Sequence, residues 1–187
     1  MSRNKAIFAI LFLTVTFCTS LTLAQNISGT RSDPSIQCRL DVDGAVINPH
    51  EPYKVRLSIT SQSEIEEVLK AITIMLNETP RDKQFAHLTN YYAPVDIKKE
   101  GALEVQTDAQ GKQVYPEQHV ALPIHTSINF TIPIRDLYWA NSGSSLLPSV
   151  ELFHAVKSGN YDLSARVRLE NGNSVDCGAH NVVITRK

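Results

Sequence analysis

Little in this chain is present in excess. Neither charge sign dominates: 18 Lys and Arg stand against 19 Asp and Glu, a formal net charge of −1. Without a basic surplus there is no electrostatic footprint for nucleic acid. Tryptophan occurs once and methionine twice, and the 8 Gly and 9 Pro follow no period. Collagen-like, low-complexity and coiled-coil classes are thereby excluded. HExxH, GxSxG, the P-loop and GxGxxG are absent, so no cofactor or metal is called for. What remains is an ordinary globular composition, 42% hydrophobic over 187 residues, enough for one domain with a sizeable core.

The first segment reads as an address. Arg3 and Lys5 precede an apolar run from Ala6 to Phe17, and Thr22-Leu23-Ala24 makes a small-x-small boundary before Gln25. Residues 1–24 are expected to be a signal peptide, 25–35 a flexible mature N-terminus, and 36–187 a single β-sandwich domain. No later segment is apolar enough to span a bilayer. Cleavage removes two of the 18 basic residues and no acidic one, which leaves 16 against 19, or −3. Cys18 leaves as well. Cys38 and Cys177 remain, and a secreted chain with an even cysteine count is expected to pair them.

Periodicity predicts an all-β fold. Apolar and polar residues alternate through Ile36 to Asp43, Tyr53 to Thr60, Ile128 to Ile134 and Tyr161 to Leu169, the pattern of half-buried strands. Pro133 cannot donate a ladder hydrogen bond, which places its strand at an edge or ends it there. Leu103 to Tyr115 reads as a hairpin turning at Asp108-Ala109-Gln110-Gly111. Such strands, punctuated by Pro and Gly, predict an antiparallel sandwich with one or two short helices.

The last hairpin can be argued residue by residue. Asn171-Gly172 is a turn signal. A two-residue loop would pair Val167 with Asp176 and bury the aspartate. A three-residue loop, Glu170 to Gly172 with Gly172 left-handed, pairs Val167 with Val175 and Ala165 with Cys177, and keeps the core apolar. Val182 and Ile184 are then out of phase, which predicts a bulge within Gly178 to Asn181. In this register Cys38 and Cys177 both face inward, on the first and last strands. A disulfide between them would close almost the whole domain.

One segment reads two ways. Ser63 with Glu66 makes a capping-box signature, and Ile65, Val68, Leu69 and Ile72 fall at helical spacing. Ile72, Thr73 and Ile74 are β-branched, and a sandwich needs a strand here. Residues 63–76 therefore predict either a short helix or a loop leading into a strand over 69–76. A second short helix is expected around Pro148 to Val156.

Ser158-Gly159-Asn160-Tyr161-Asp162-Leu163 resembles the S-G-x-Y-x-C pattern that opens the penultimate strand of immunoglobulin-like domains. The family tyrosine there makes a corner between sheets. With the Asn-Gly hairpin and last strand the resemblance covers about 30 residues. Leu163 stands where the family has cysteine, and Trp139 precedes this strand whereas the family tryptophan lies on an earlier one. The resemblance implies an immunoglobulin-like sandwich in the broad sense, with Tyr161 as its corner residue, and no particular function.

Candidate chemistry is sparse. Asp41-x-Asp43-Gly44 is like the start of a calcium loop but lacks its later ligands, so solvated strand aspartates are expected. His119, His125, His87, His154 and His180 have no partner motif and are expected at the surface or locally hydrogen-bonded. Asn26, Asn77 and Asn129 head Asn-x-Ser/Thr acceptors and are possible glycosylation sites. Tyr91-Tyr92 and Tyr138-Trp139, expected in loops, are the candidate partner-binding aromatics. The expected function is that of a secreted or periplasmic, non-catalytic module that binds a protein or glycan. The alternatives are a small secreted enzyme with a dispersed site, and a structural or inhibitory subunit acting by edge-strand pairing.

Overall fold

The alternating segments become strands of two sheets that share one core. The computed structural model describes residues 35–79, 90–104, 106–110, 113–141 and 156–185. The expected leader at 1–24, residues 25–34 with Asn26, both His87 and His154, and the stretch 148–155 of the second expected helix lie outside them.

The first sheet has the order β1 (Ile36–Val42), β3 (Lys54–Ser61), β10 (Ser127–Pro133). Leu40, Leu57 and Phe130 stand in one cross-strand row, and Val42, Val55 and Ile132 in another, all directed at the core. Pro133 ends β10, which lies at the sheet edge as its missing N–H requires.

The larger sheet has the order β11 (Ala140–Asn141), β5 (Asn90–Asp96), β4 (Glu67–Glu78), β12 (Gly159–Leu169), β13 (Ser174–Ile184), β2 (Val46–Ile47). Beside it β6 (Gly101–Ala102) pairs with β5, and β9 (Val120–Leu122) pairs with β4. Its inner face is built in rows: Val95–Ile72–Val167, Ala93–Ile74–Ala165 and Tyr91–Leu76–Leu163, all buried. The ladder is antiparallel except at β2, which runs parallel to β13 after the chain turns at Asp43-Gly44 and changes sheet. The expected hairpin forms as β7 (Gln106–Thr107) against β8 (Gln113–Val114), with Asp108 accepting from the Gln110 N–H.

Residues 63–76 are loop and strand. The Ser63 hydroxyl accepts from the Ile65 N–H in a local turn, and Ile65 is 66% exposed, so no helical face is buried. The helix-like spacing has a simple origin. Glu67 and Leu69 face inward, then Ile72, Ile74 and Leu76 do, because the register with β12 slips beside Lys70. One extra residue in a strand turns an i, i+2 step into i, i+3. Among the described residues the helical content is a single 3-10 turn, Ile134–Asp136.

The final hairpin follows the three-residue reading. Val167 pairs with Val175, the Leu169 N–H donates to the Asn173 carbonyl, and Gly172 has φ of 86°. The reset comes where the register shifts between Ser164 and Arg166, opposite Gly178 at φ of 88°. Ala165 thus sits in the irregular step and has no single partner on β13, in place of the expected pairing with Cys177.

Cys38 and Cys177 are joined, with their Cα atoms 4.4 Å apart, so the bond ties β1 of one sheet to β13 of the other. His180 adds a second tie between the same strands, its ring Nε2 2.8 Å from the Leu40 carbonyl. The Tyr161 hydroxyl donates to the Lys157 carbonyl at 2.9 Å and folds the entry of β12 back on itself.

Candidate functional site

Period two decides which aromatics can meet a partner. Tyr91 and Tyr92 are consecutive on β5, not in a loop, so they point to opposite faces. Tyr91 is buried, 6.2 Å from the Tyr161 ring centroid, while Tyr92 is half-buried on the outer face. Trp139 is also core: it is 2% exposed and its indole N–H donates to the Ile134 carbonyl. Tyr91 and Trp139 are therefore corrected as partner-binding candidates, since their buried rings serve packing. Tyr92 and Tyr138 are half-buried.

Tyr92 belongs to a groove of about 270 Å³ on the outer face of the larger sheet. Its floor comes from β4 (Ala71, Thr73), β5 (Tyr92, Pro94) and β12 (Arg166, Arg168). Its wall is Tyr115, Pro116 and Glu117, in the segment that leads from β8 into β9. Gln118 pins that wall: its side-chain N–H donates to the Val95 carbonyl, its side-chain oxygen accepts from the Ile97 N–H, and its backbone N–H donates to the Lys70 carbonyl.

The groove's ionisable groups answer one another. Lys70 Nζ lies 3.0 Å from Glu117, and Arg168 lies 3.6 Å from the other oxygen of the same carboxylate. Arg166 Nε pairs with Asp176 at 2.7 Å. The hydrogen bond from Lys70, and then its charge, hold Glu117 below the usual carboxylate range. Burial, followed by the neighbouring Tyr92 hydroxyl, pushes Tyr115 up to about 12.

The remaining sequence candidates are scattered. Asn129 is exposed on edge strand β10, whereas Asn77 is half-buried on β4, between Asn90 and Asp162. Asp41 pairs with Arg39, and Asp43 pairs with Arg56 while accepting the Lys54 N–H. His119 and His125 are exposed beside Glu170 and Glu64. The groove itself was not anticipated. Lys70, Tyr115, Glu117, Arg166 and Arg168 come from three separate stretches, and the alternation that marked Arg166 and Arg168 as polar said nothing of what lies over them.

No protein-family model matches the chain, and no curated protein does. Among solved structures it is similar to the alkylpurine DNA glycosylase AlkC of Pseudomonas fluorescens bound to DNA containing an abasic site analog, at 10% identity and a TM-score of 0.40, over 81% of this chain and 31% of that one. It is similar to AvmM, which catalyses macrocyclization in alchivemycin A biosynthesis, at 11% identity and 0.46, over 86% and 94%. A third is the β-glucosidase EmGH1 of Erythrobacter marinus, at 10% and 0.37, over 81% and 15%. The chain spans less than a third of the glycosylase and less than a sixth of the glucosidase. Likenesses at these scores carry no argument about activity.

Proposed function

We propose that this chain is a secreted, immunoglobulin-like sandwich module that acts by binding a protein or glycan, without catalysis, through the outer-face groove. The groove carries the reading: two tyrosines and two prolines give a shaped apolar surface beside three cations, the composition favoured in recognition. The non-catalytic part rests on the pairing of its ionisable groups. Lys70 and Arg168 engage the Glu117 carboxylate, and Asp176 engages Arg166. Export is supported by the leader-like N-terminus and by the disulfide. The immunoglobulin-like assignment is supported by the Tyr161 hydroxyl bond to a carbonyl four residues upstream, the geometry of a tyrosine corner.

The test is an NMR shift map of the mature protein against panels of peptides and oligosaccharides. Shifts concentrated at Tyr92, Tyr115 and Arg166 are expected. Shifts elsewhere, or turnover of a substrate that Tyr115→Phe abolishes, would overturn the reading. Edge-strand pairing has less support. At β10 the Thr131 N–H is already taken by the Glu100 carboxylate at 2.9 Å, and Pro133 has no N–H to offer.

A further inference from the structure

The carboxylate of Glu117 occupies a position that two strands prepare. Lys70 of β4 and Arg168 of β12 converge on its two oxygens, 3.0 and 3.6 Å away, at the edge of the apolar part of the groove. Building on the binding role above, we propose that the groove takes an extended acidic peptide. A carboxylate of the peptide replaces that of Glu117 between Lys70 and Arg168, and an adjacent apolar side chain fills the space against Pro94 and Leu103.

Charge complementarity supports an anionic occupant. Three cations line the groove, Lys70, Arg166 and Arg168; Glu117 answers two of them and Asp176 the third, which leaves one positive charge in excess in a chain whose net charge is −1. Exchange is eased by the exposure of Glu117 and Arg168, while Lys70, 20% exposed, holds the more enclosed side of the site. Glu117 and Arg168 have side chains 54% and 51% exposed, and an ion pair in water contributes little. An incoming carboxylate therefore displaces Glu117 at small cost. The wall itself need not move, since Gln118 and not Glu117 anchors it.

A peptide is favoured by the apolar space that adjoins the cation pair. Ala71, Pro94, Leu103 and Pro116 form an apolar space that suits an aliphatic side chain next to the carboxylate. An apolar side chain between acidic residues matches both halves of the surface.

The experiment is fluorescence anisotropy on the mature protein, with a labelled peptide that carries Leu flanked by Asp on each side. The controls are the same peptide with Asn for Asp and with Ala for Leu. Binding that weakens with salt and with either control is expected. Glu117→Gln removes the internal competitor and should tighten binding about two- to fivefold, while Arg168→Gln should weaken it by at least as much. Both side chains are exposed, so the fold tolerates the changes. Equal or weaker binding by Glu117→Gln overturns the proposal, as does no binding by either protein. An oligogalacturonate probe with the same NMR readout separates the two levels of the argument. If it shifts Tyr92 and Tyr115 where the peptide does not, the peptide class falls and the binding module stands. If neither probe moves them, both fall.

Discussion

Tyr91 and Tyr161 grip the same residue from two strands. The Tyr161 hydroxyl donates to the Lys157 carbonyl, and the Lys157 N–H donates to the Tyr91 hydroxyl at 3.3 Å. The point where the chain enters β12 is thereby fixed to β5, with β4 between the two strands.

Loss of either hydroxyl should be felt without loss of the fold. Tyr161→Phe and Tyr91→Phe are each expected to lower unfolding free energy by about 0.5–1.5 kcal/mol, the net worth of one buried hydrogen bond. Because the two bonds share Lys157, the double variant should depart from additivity. Urea melts of the four proteins check both statements, and additive effects would show that the two tyrosines act independently.

Trp139 should behave as core. Trp139→Ala is expected to cost about 3–5 kcal/mol, since it empties a large buried site and leaves the Ile134 carbonyl without its indole donor. A cost near zero in the same melts would return Trp139 to the surface.

The disulfide closes a sequence separation of 139 residues. Cys177→Ala should destabilise by roughly 2–5 kcal/mol, the usual loss for a native bridge in a small secreted domain. Non-reducing peptide mapping of the protein should recover the Cys38 and Cys177 fragments linked. Two titratable thiols per folded molecule would refute the bond.

Gly172 and Gly178 are left-handed, and a Cβ at either would meet nothing within 4 Å. Gly172→Ala and Gly178→Ala should therefore each cost about 1–2 kcal/mol from backbone conformation alone. Larger side chains should cost about the same as alanine, and thermal melts of an Ala, Ser and Gln series would show whether they do.

Tyr115 should ionise above the usual tyrosine range. Its folded value is raised from 10.0 to about 12, so the stabilisation tied to its protonated form is present below pH 10 and lost as pH rises toward 12. Tyr92→Phe removes the neighbouring hydroxyl's share but not the burial, and should bring the value part of the way down. Ultraviolet difference titration measures both. A Tyr115 that ionises at 10 would mean the groove is more open than its walls imply.

Strand identity was legible because period two is a local property. Alternation marked β1, β3, β10 and β12, and the need to keep Asp176 out of the core chose the hairpin register and the bulge near Gly178. The cysteine phases came from the same alternation, which is why their pairing could be expected before the sheets were placed. Where alternation breaks, local reading fails: the slip beside Lys70 gave β4 a helical spacing that only its two partner strands resolve. Tyr91-Tyr92 and Trp139 show the same limit, since adjacency says that two side chains diverge but not which one the core receives. The groove lay beyond any local signal. Lys70, Tyr115, Glu117 and Arg168 meet because β4 and β12 pair and because Gln118 holds a distant segment across them. Those contacts are long-range, and the tertiary structure alone brings them together.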